Sequence, residues 1–161
     1  MYYFGYIEED ANNGTGIRLT IFISGCNHNC DGCHSPESHD FHYGKEFNEE
    51  EQNKILNLFR DEEMLYDGIT ISGGDPIYSY EEVLEFIKKF KSEFKDKTIW
   101  LYTGFSLSNV QQIASLFPEN ILDYIDTIVT EPFIKELKDL GLKFMGSSNQ
   151  KIINCKNLQC T

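Results

Sequence analysis

The chain predicts an α/β fold, an open partial (β/α) barrel with a mostly parallel sheet. Three observations carry that prediction. Short β-branched and aromatic runs alternate with amphipathic helical patterns, the order of a parallel sheet with crossover helices. Glycine stops successive strands where the chain must turn. A length of 161 residues suits one domain, 1–161, with a sizeable core but falls short of a full closed barrel.

The elements follow in order. Arg18-Leu19-Thr20-Ile21-Phe22-Ile23-Ser24 reads as a strand ended by Gly25. Residues 25–47 form a long polar loop with three cysteines and all four histidines, and loops of that length in a compact domain are usually functional. Asn48-Glu49-Glu50-Glu51 has the form of a capping box and starts a helix through Arg60, with Ile55, Leu58 and Phe59 on its inner face. Gly68–Ser72 is a second strand, broken by Gly73-Gly74-Asp75-Pro76. Ser79 caps the next helix, whose Val83, Phe86, Ile87, Phe90 and Phe94 recur at helical spacing as core. Thr98–Thr103 is a third strand, stopped by Gly104. A helix over 108–117 and a strand over 125–130 come next, then a last helix over 133–140 and a terminal strand over 150–154. Four to six strands result. In such sheets ligands bind at the carboxyl ends of the strands, where the cysteine loop, Gly73-Gly74-Asp75-Pro76 and Thr103-Gly104 all fall.

Bulk properties exclude several classes of function. Hydrophobic content of 40% and aromatic content of 14% describe a globular chain. A net charge of −12 argues against nucleic acid and anionic membranes as partners, since phosphate binding needs clustered Lys and Arg. The start, Met1–Asp10, has neither the basic nor the apolar region of a signal peptide, and no stretch is long enough to span a membrane. Five cysteines, three of them crowded together, point to a reducing cytoplasm.

Cys26, Cys30 and Cys33 stand in Cys-x3-Cys-x2-Cys spacing with no fourth cysteine near. Closed zinc sites and ordinary iron–sulfur clusters take four protein ligands, whereas a four-iron cube on three thiolates keeps one iron open. The alternative is a zinc site completed by one of His28, His34, His39 or His42. Gly73 and Gly74, placed after a strand, let main-chain groups approach a ligand, and Asp75 either orients a ligand ammonium group or fixes the loop. A plain strand-to-helix turn is the competing reading. Thr103-Gly104 either contacts the ligand or only ends its strand. Cys155 and Cys160 read as free thiols, because two thiolates alone rarely hold a metal.

These segments together resemble the activating component of the anaerobic (class III) ribonucleotide reductase, within the radical S-adenosylmethionine (SAM) superfamily. The matching runs are Phe22–Cys26, Cys30-Asp31-Gly32-Cys33, Ile71–Pro76, Ile99-Trp100-Leu101-Tyr102-Thr103-Gly104 and Gly146-Ser147-Ser148-Asn149-Gln150. The resemblance covers 18–150 and implies a partial barrel of the radical SAM type. It implies a 4Fe–4S cluster on Cys26, Cys30 and Cys33, with SAM on the open iron, and SAM contacts from Gly32, Cys33, His34, Gly73, Gly74, Asp75 and Thr103. An electron from a reduced carrier such as flavodoxin cleaves SAM to methionine and a 5′-deoxyadenosyl radical, which takes a hydrogen atom from a glycine of the large reductase subunit. Two departures stand out. His34 occupies a place where relatives often carry an aromatic residue, and Thr130-Glu131-Pro132-Phe133 replaces an Asp-Gly-x-Phe run. An activating enzyme for another glycyl-radical enzyme, and a non-catalytic iron–sulfur or zinc module, are the rival readings.

Overall fold

A computed structural model describes residues 1–158. Its strands are β1 (Tyr2–Asp10), β2 (Arg18–Ile23), β3 (Lys45–Glu46), β4 (Gly68–Gly73), β5 (Thr98–Tyr102), β6 (Thr127–Thr130) and β7 (Lys151–Asn154), and its helices are α1 (Glu49–Asp61), α2 (Tyr80–Glu93) and α3 (Leu107–Ala114). All seven strands form one open sheet in the order β3-β1-β2-β4-β5-β6-β7. The central strands β2, β4, β5 and β6 are parallel, as their intervening helices require. β1 and β3 extend one side and β7 the other, all antiparallel.

Period-two alternation divides the sheet into two faces. Leu19, Ile21 and Ile23, Ile69 and Ile71, Ile99 and Leu101, and Ile128 share one core with the buried stripes of the helices, including Phe59, Phe86, Phe90 and Val110. Arg18, Thr20 and Phe22, Thr70 and Ser72, and Trp100 and Tyr102 take the other face. The helices therefore cover one side only. The second side is left to line a concave interior, closed at the amino ends of the strands and open at their carboxyl ends.

Arg18 does the closing. Its guanidinium is wholly buried and donates to Thr70 Oγ1 (2.8 Å), Thr15 O (3.0 Å), Thr98 Oγ1 (3.0 Å), Ile69 O (2.7 Å) and Thr98 O (3.0 Å). It also sits 5.8 Å from the centre of the Trp100 ring. Burial pushes it down to about 10, opposed by the field of Asp67, Asp126 and Asp10.

Two sequence expectations are corrected. The amino-terminal run Tyr2–Asp10, considered above only as a leader, is the longest strand of the sheet; its alternating aromatic residues are the strand signal. The helix expected over 133–140 does not form. Only a 3-10 turn, Lys135–Leu137, is present. Glu131 turns the chain at φ +79°, and the main chain beyond it bonds across to another segment: Asp139 N–H donates to Gly146 O (3.3 Å) and Ser148 N–H to Leu137 O (2.9 Å). Those groups are then lost to an i to i−4 ladder. The expected carboxyl-terminal strand is present over Lys151–Asn154, while Cys160 lies outside the described residues.

Lysine cannot reproduce the planar fork of Arg18. In urea unfolding of the metal-free protein, Arg18→Lys is expected to lower stability by about 3 kcal/mol. A loss under about 1 kcal/mol would show that the fork is not what closes this end of the sheet.

Candidate cofactor site

The loop after β2 is held as a lariat. Gly25 N–H donates to Ser38 O (2.7 Å), Cys26 N–H to His39 O (3.5 Å), and the Ser24 hydroxyl to Tyr43 O (2.6 Å). Cys33 N–H closes a turn on Cys30 O (3.2 Å). Cys26 is buried and Cys30 and Cys33 are half-buried, all as free thiols. Burial pushes the Cys26 thiol up to about 11 and raises that of Cys30, with main-chain contacts from His28 and Phe133 respectively drawing the other way.

All three thiols line one cavity of about 300 Å³ at the carboxyl ends of the parallel strands. Its other walls include Ser72, Gly73 and Gly74 at the end of β4, Tyr102, Thr103 and Gly104 at the end of β5, and His34. The three loops converge here as strand order demands. Gly73 cannot be replaced without disruption: its φ is +115°, and a Cβ there would lie 2.3 Å from Ile23 O.

Asp75 is placed differently from a ligand contact. It is fully buried and is absent from the cavity wall. Its Oδ2 accepts from the Thr103 hydroxyl (2.9 Å) and Gly104 N–H (2.9 Å), and lies 2.6 Å from His28 Nε2. A carboxylate only accepts, so the imidazole nitrogen is the donor. Oδ1 accepts from Ile77 N–H (3.0 Å). Its N–H donates to Gly25 O (2.9 Å). Of the two roles open to Asp75, these bonds describe the one that fixes the loop. His28 packs edge-on to Phe105 (4.6 Å between ring centres) and lies so close to Gly104 that a Cβ there would sit 2.7 Å from the imidazole. Gly32 is likewise outside the wall, packed toward Lys135 and Phe133.

Sequence reasoning missed several wall residues. His28 entered only as an alternative zinc ligand. Glu131 and Phe133 line the cavity, with Phe133 5.8 Å from the His34 ring, as do Gly146 and Gln150. The Gly146–Gln150 run holds that side shut. Gln150 Oε1 accepts from Gly146 N–H (2.7 Å) and Ser147 N–H (3.2 Å), its amide donates to Glu131 O (3.2 Å), and Asn149 donates to Pro132 O (2.8 Å).

The donor set suits an iron–sulfur cluster, because soft thiolates face one cavity. Among the described residues no three His, Cys, Asp or Glu side chains are grouped to hold a single metal ion, as a zinc site would require. Comparison with known proteins decides the family. A model described as a 4Fe-4S single cluster domain matches residues 12–153. The anaerobic ribonucleoside-triphosphate reductase-activating protein of Haemophilus influenzae is 38% identical over 156 residues, covering 94% of this chain and 97% of that one. Its counterpart in Vibrio cholerae is 36% identical over 154 residues, with the same coverage. The protein of that name from Enterobacteria phage T4 is 32% identical over 146 residues, covering 89% of this chain and 87% of that one.

The chain belongs to the anaerobic ribonucleoside-triphosphate reductase-activating protein family. In this family member the cysteine loop, the Gly73-Gly74 turn and the end of β5 are not independent. They meet on Asp75. Asp75→Asn keeps the shape but presents an amide donor to groups that already donate. It is expected to lower stability by roughly 2–3 kcal/mol, read by thermal unfolding of the metal-free protein. A melting profile equal to wild type would show that the carboxylate is not the tie between these loops.

Proposed function

We propose that this chain is a radical SAM activase of the anaerobic ribonucleoside-triphosphate reductase. The observation that carries the reading is one cavity lined by three thiols, with no fourth cysteine in its wall among the described residues, and by Gly73-Gly74 and Thr103-Gly104. In this reading the open sheet is a partial barrel of the radical SAM type, the chain is one domain, and it works in the cytoplasm.

Cys26, Cys30 and Cys33 would hold the 4Fe–4S cluster, leaving one iron to SAM. When bound, cluster and SAM supply reductive cleavage of the sulfonium, fed by a reduced carrier such as flavodoxin, and the 5′-deoxyadenosyl radical that takes a hydrogen atom from the reductase glycine. The chain supplies placement and shelter. Gly73 and Gly74 bring main-chain groups against the methionine end of SAM, and Cys33, His34 and Thr103 border it. Asp75 and Gly32 stand behind the wall: Asp75 positions His28, Thr103 and Gly104, and Gly32 turns the chain between two ligands. Phe133, beside His34, supplies an aromatic surface near the cavity mouth.

The test is anaerobic reconstitution with iron and sulfide, then incubation with SAM, reductant and the large reductase subunit. Wild type is expected to cleave SAM and to give the glycyl-radical doublet in electron spin resonance. Cys26→Ala, Cys30→Ala and Cys33→Ala should each abolish both. Cys155 is buried against the core, its thiol pushed up to about 12 by burial, so Cys155→Ala should leave both intact. Cys160→Ala is expected to do the same. SAM cleavage by any of the first three variants would remove the ligand assignment, and cleavage by wild type without a doublet would remove the reductase as substrate.

A further inference from the structure

The cavity wall carries one charged group to which the function proposed above gives no role. Among the described residues that line the cavity, Glu131 is the one carboxylate, and no lysine or arginine stands beside it in the wall. Glu131 is half-buried, and its side chain makes no hydrogen bond or ion pair to any described residue. A carboxylate on a cavity wall loses water when a ligand fills the space. It recovers its bonds only if the ligand brings donors.

The backbone at Glu131 is held where glycine is favoured. Its φ is +79°, fixed by its N–H donating to Phe105 O (3.0 Å) and its carbonyl accepting from the Gln150 side-chain amide (3.2 Å). Glycine would take that angle at lower cost. Side chains kept on strained backbone cluster at ligand sites, where the strain is held by the surrounding structure. A merely solvated charge would need neither the cavity nor the strain.

Position along the sheet selects what Glu131 meets. The parallel strands run β2-β4-β5-β6, with the cysteine loop after β2, Gly73-Gly74 at the end of β4 and Glu131 just past β6. Strands about 4.8 Å apart put roughly 14 Å of sheet between the first of these and the last. A SAM molecule anchored by its methionine end at the cysteine loop and Gly73-Gly74 lays its nucleoside toward Glu131. The adenine ring offers mostly acceptor nitrogens, which a carboxylate repels, whereas the ribose offers two neighbouring hydroxyl donors. Acidic residues hold ribose hydroxyls in the same way in dinucleotide-binding α/β folds.

We propose that Glu131 is the residue that selects the ribose of SAM, its carboxylate accepting from the 2′- and 3′-hydroxyls. This rests on the function proposed above and adds to it a determinant of cofactor specificity outside the cysteine loop and the glycine turn.

The experiment measures binding rather than turnover. Reconstituted full chain with its cluster left oxidised, so that SAM is bound and not cleaved, is dialysed to equilibrium against SAM and against its 2′-deoxy and 3′-deoxy analogues. Wild type should bind at least one of the analogues about tenfold more weakly than SAM, the worth of a hydrogen bond to a charged group. Glu131→Gln should bind SAM about tenfold more weakly than wild type and lose most of that discrimination, because the two changes remove the same interaction. Glu131→Gly should weaken SAM binding equally, while the thermal midpoint of the metal-free protein stays level or rises as the backbone strain is relieved. That combination separates a lost contact from a damaged fold. SAM affinity in Glu131→Gln within about twofold of wild type would overturn the proposal, as would full discrimination against both analogues in that variant. SAM binding by wild type with no preference over either analogue would overturn it while leaving the proposed function standing. No binding of SAM by wild type would overturn both.

Discussion

A buried carboxylate, satisfied from four directions, is the constraint on which the site depends. Asp75 gathers donors from the cysteine loop through His28, from the end of β5 through Thr103 and Gly104, and from its own turn through Ile77. The four donors come from three places in the chain: the cysteine loop, the end of β5 and the turn of Asp75 itself. A buried polar network is stabilising only when every member is paired, and here the acceptor is fully used. Geometry at the three cysteines is thus set by an interaction on the far side of the wall they face.

The two ends of the parallel strands are opposites in chemistry. At the amino ends Arg18 spends its donors on main-chain carbonyls and threonine hydroxyls of β4 and β5, and fills the interior with a cation that needs no ligand. At the carboxyl ends the interior is left open, and the residues facing it include the three thiols, glycines, hydroxyls and the His28 and His34 imidazoles. Asymmetry of this kind follows from the parallel arrangement, in which all the connecting loops that can vary lie beyond one end. It also explains why a short chain suffices. One end is plugged by a side chain, so the remaining sheet has only one mouth to build.

Legibility in the sequence followed the range of the interactions. The parallel strands, α1, α2 and α3 were readable because period is local; Asn48 does accept from Glu51 N–H (3.0 Å) as its position suggests, whereas Ser79, expected to cap α2, makes no side-chain bond to the helix. The cysteine spacing and the glycine pair after β4 were readable because they too are local. Asp75 was visible as a residue of interest but its role was not, since its partners lie 28 and 47 positions away. His28 was hidden for the same reason. The segment 133–140 was expected to be a helix, and its large apolar residues include Ile134, Leu137 and Leu140. They face water here, and the backbone bonds that would have made a helix go to Gly146 and Ser148 instead.

The most direct measurement is electron–nuclear double resonance on the reduced, reconstituted protein with SAM isotopically labelled at its amino nitrogen and carboxylate. Three thiolates and one open iron predict hyperfine coupling from both labelled groups to the cluster, lost in Cys33→Ala. Absence of that coupling in the wild-type protein, with a signal from a histidine nitrogen or a fourth thiolate in its place, would contradict the account.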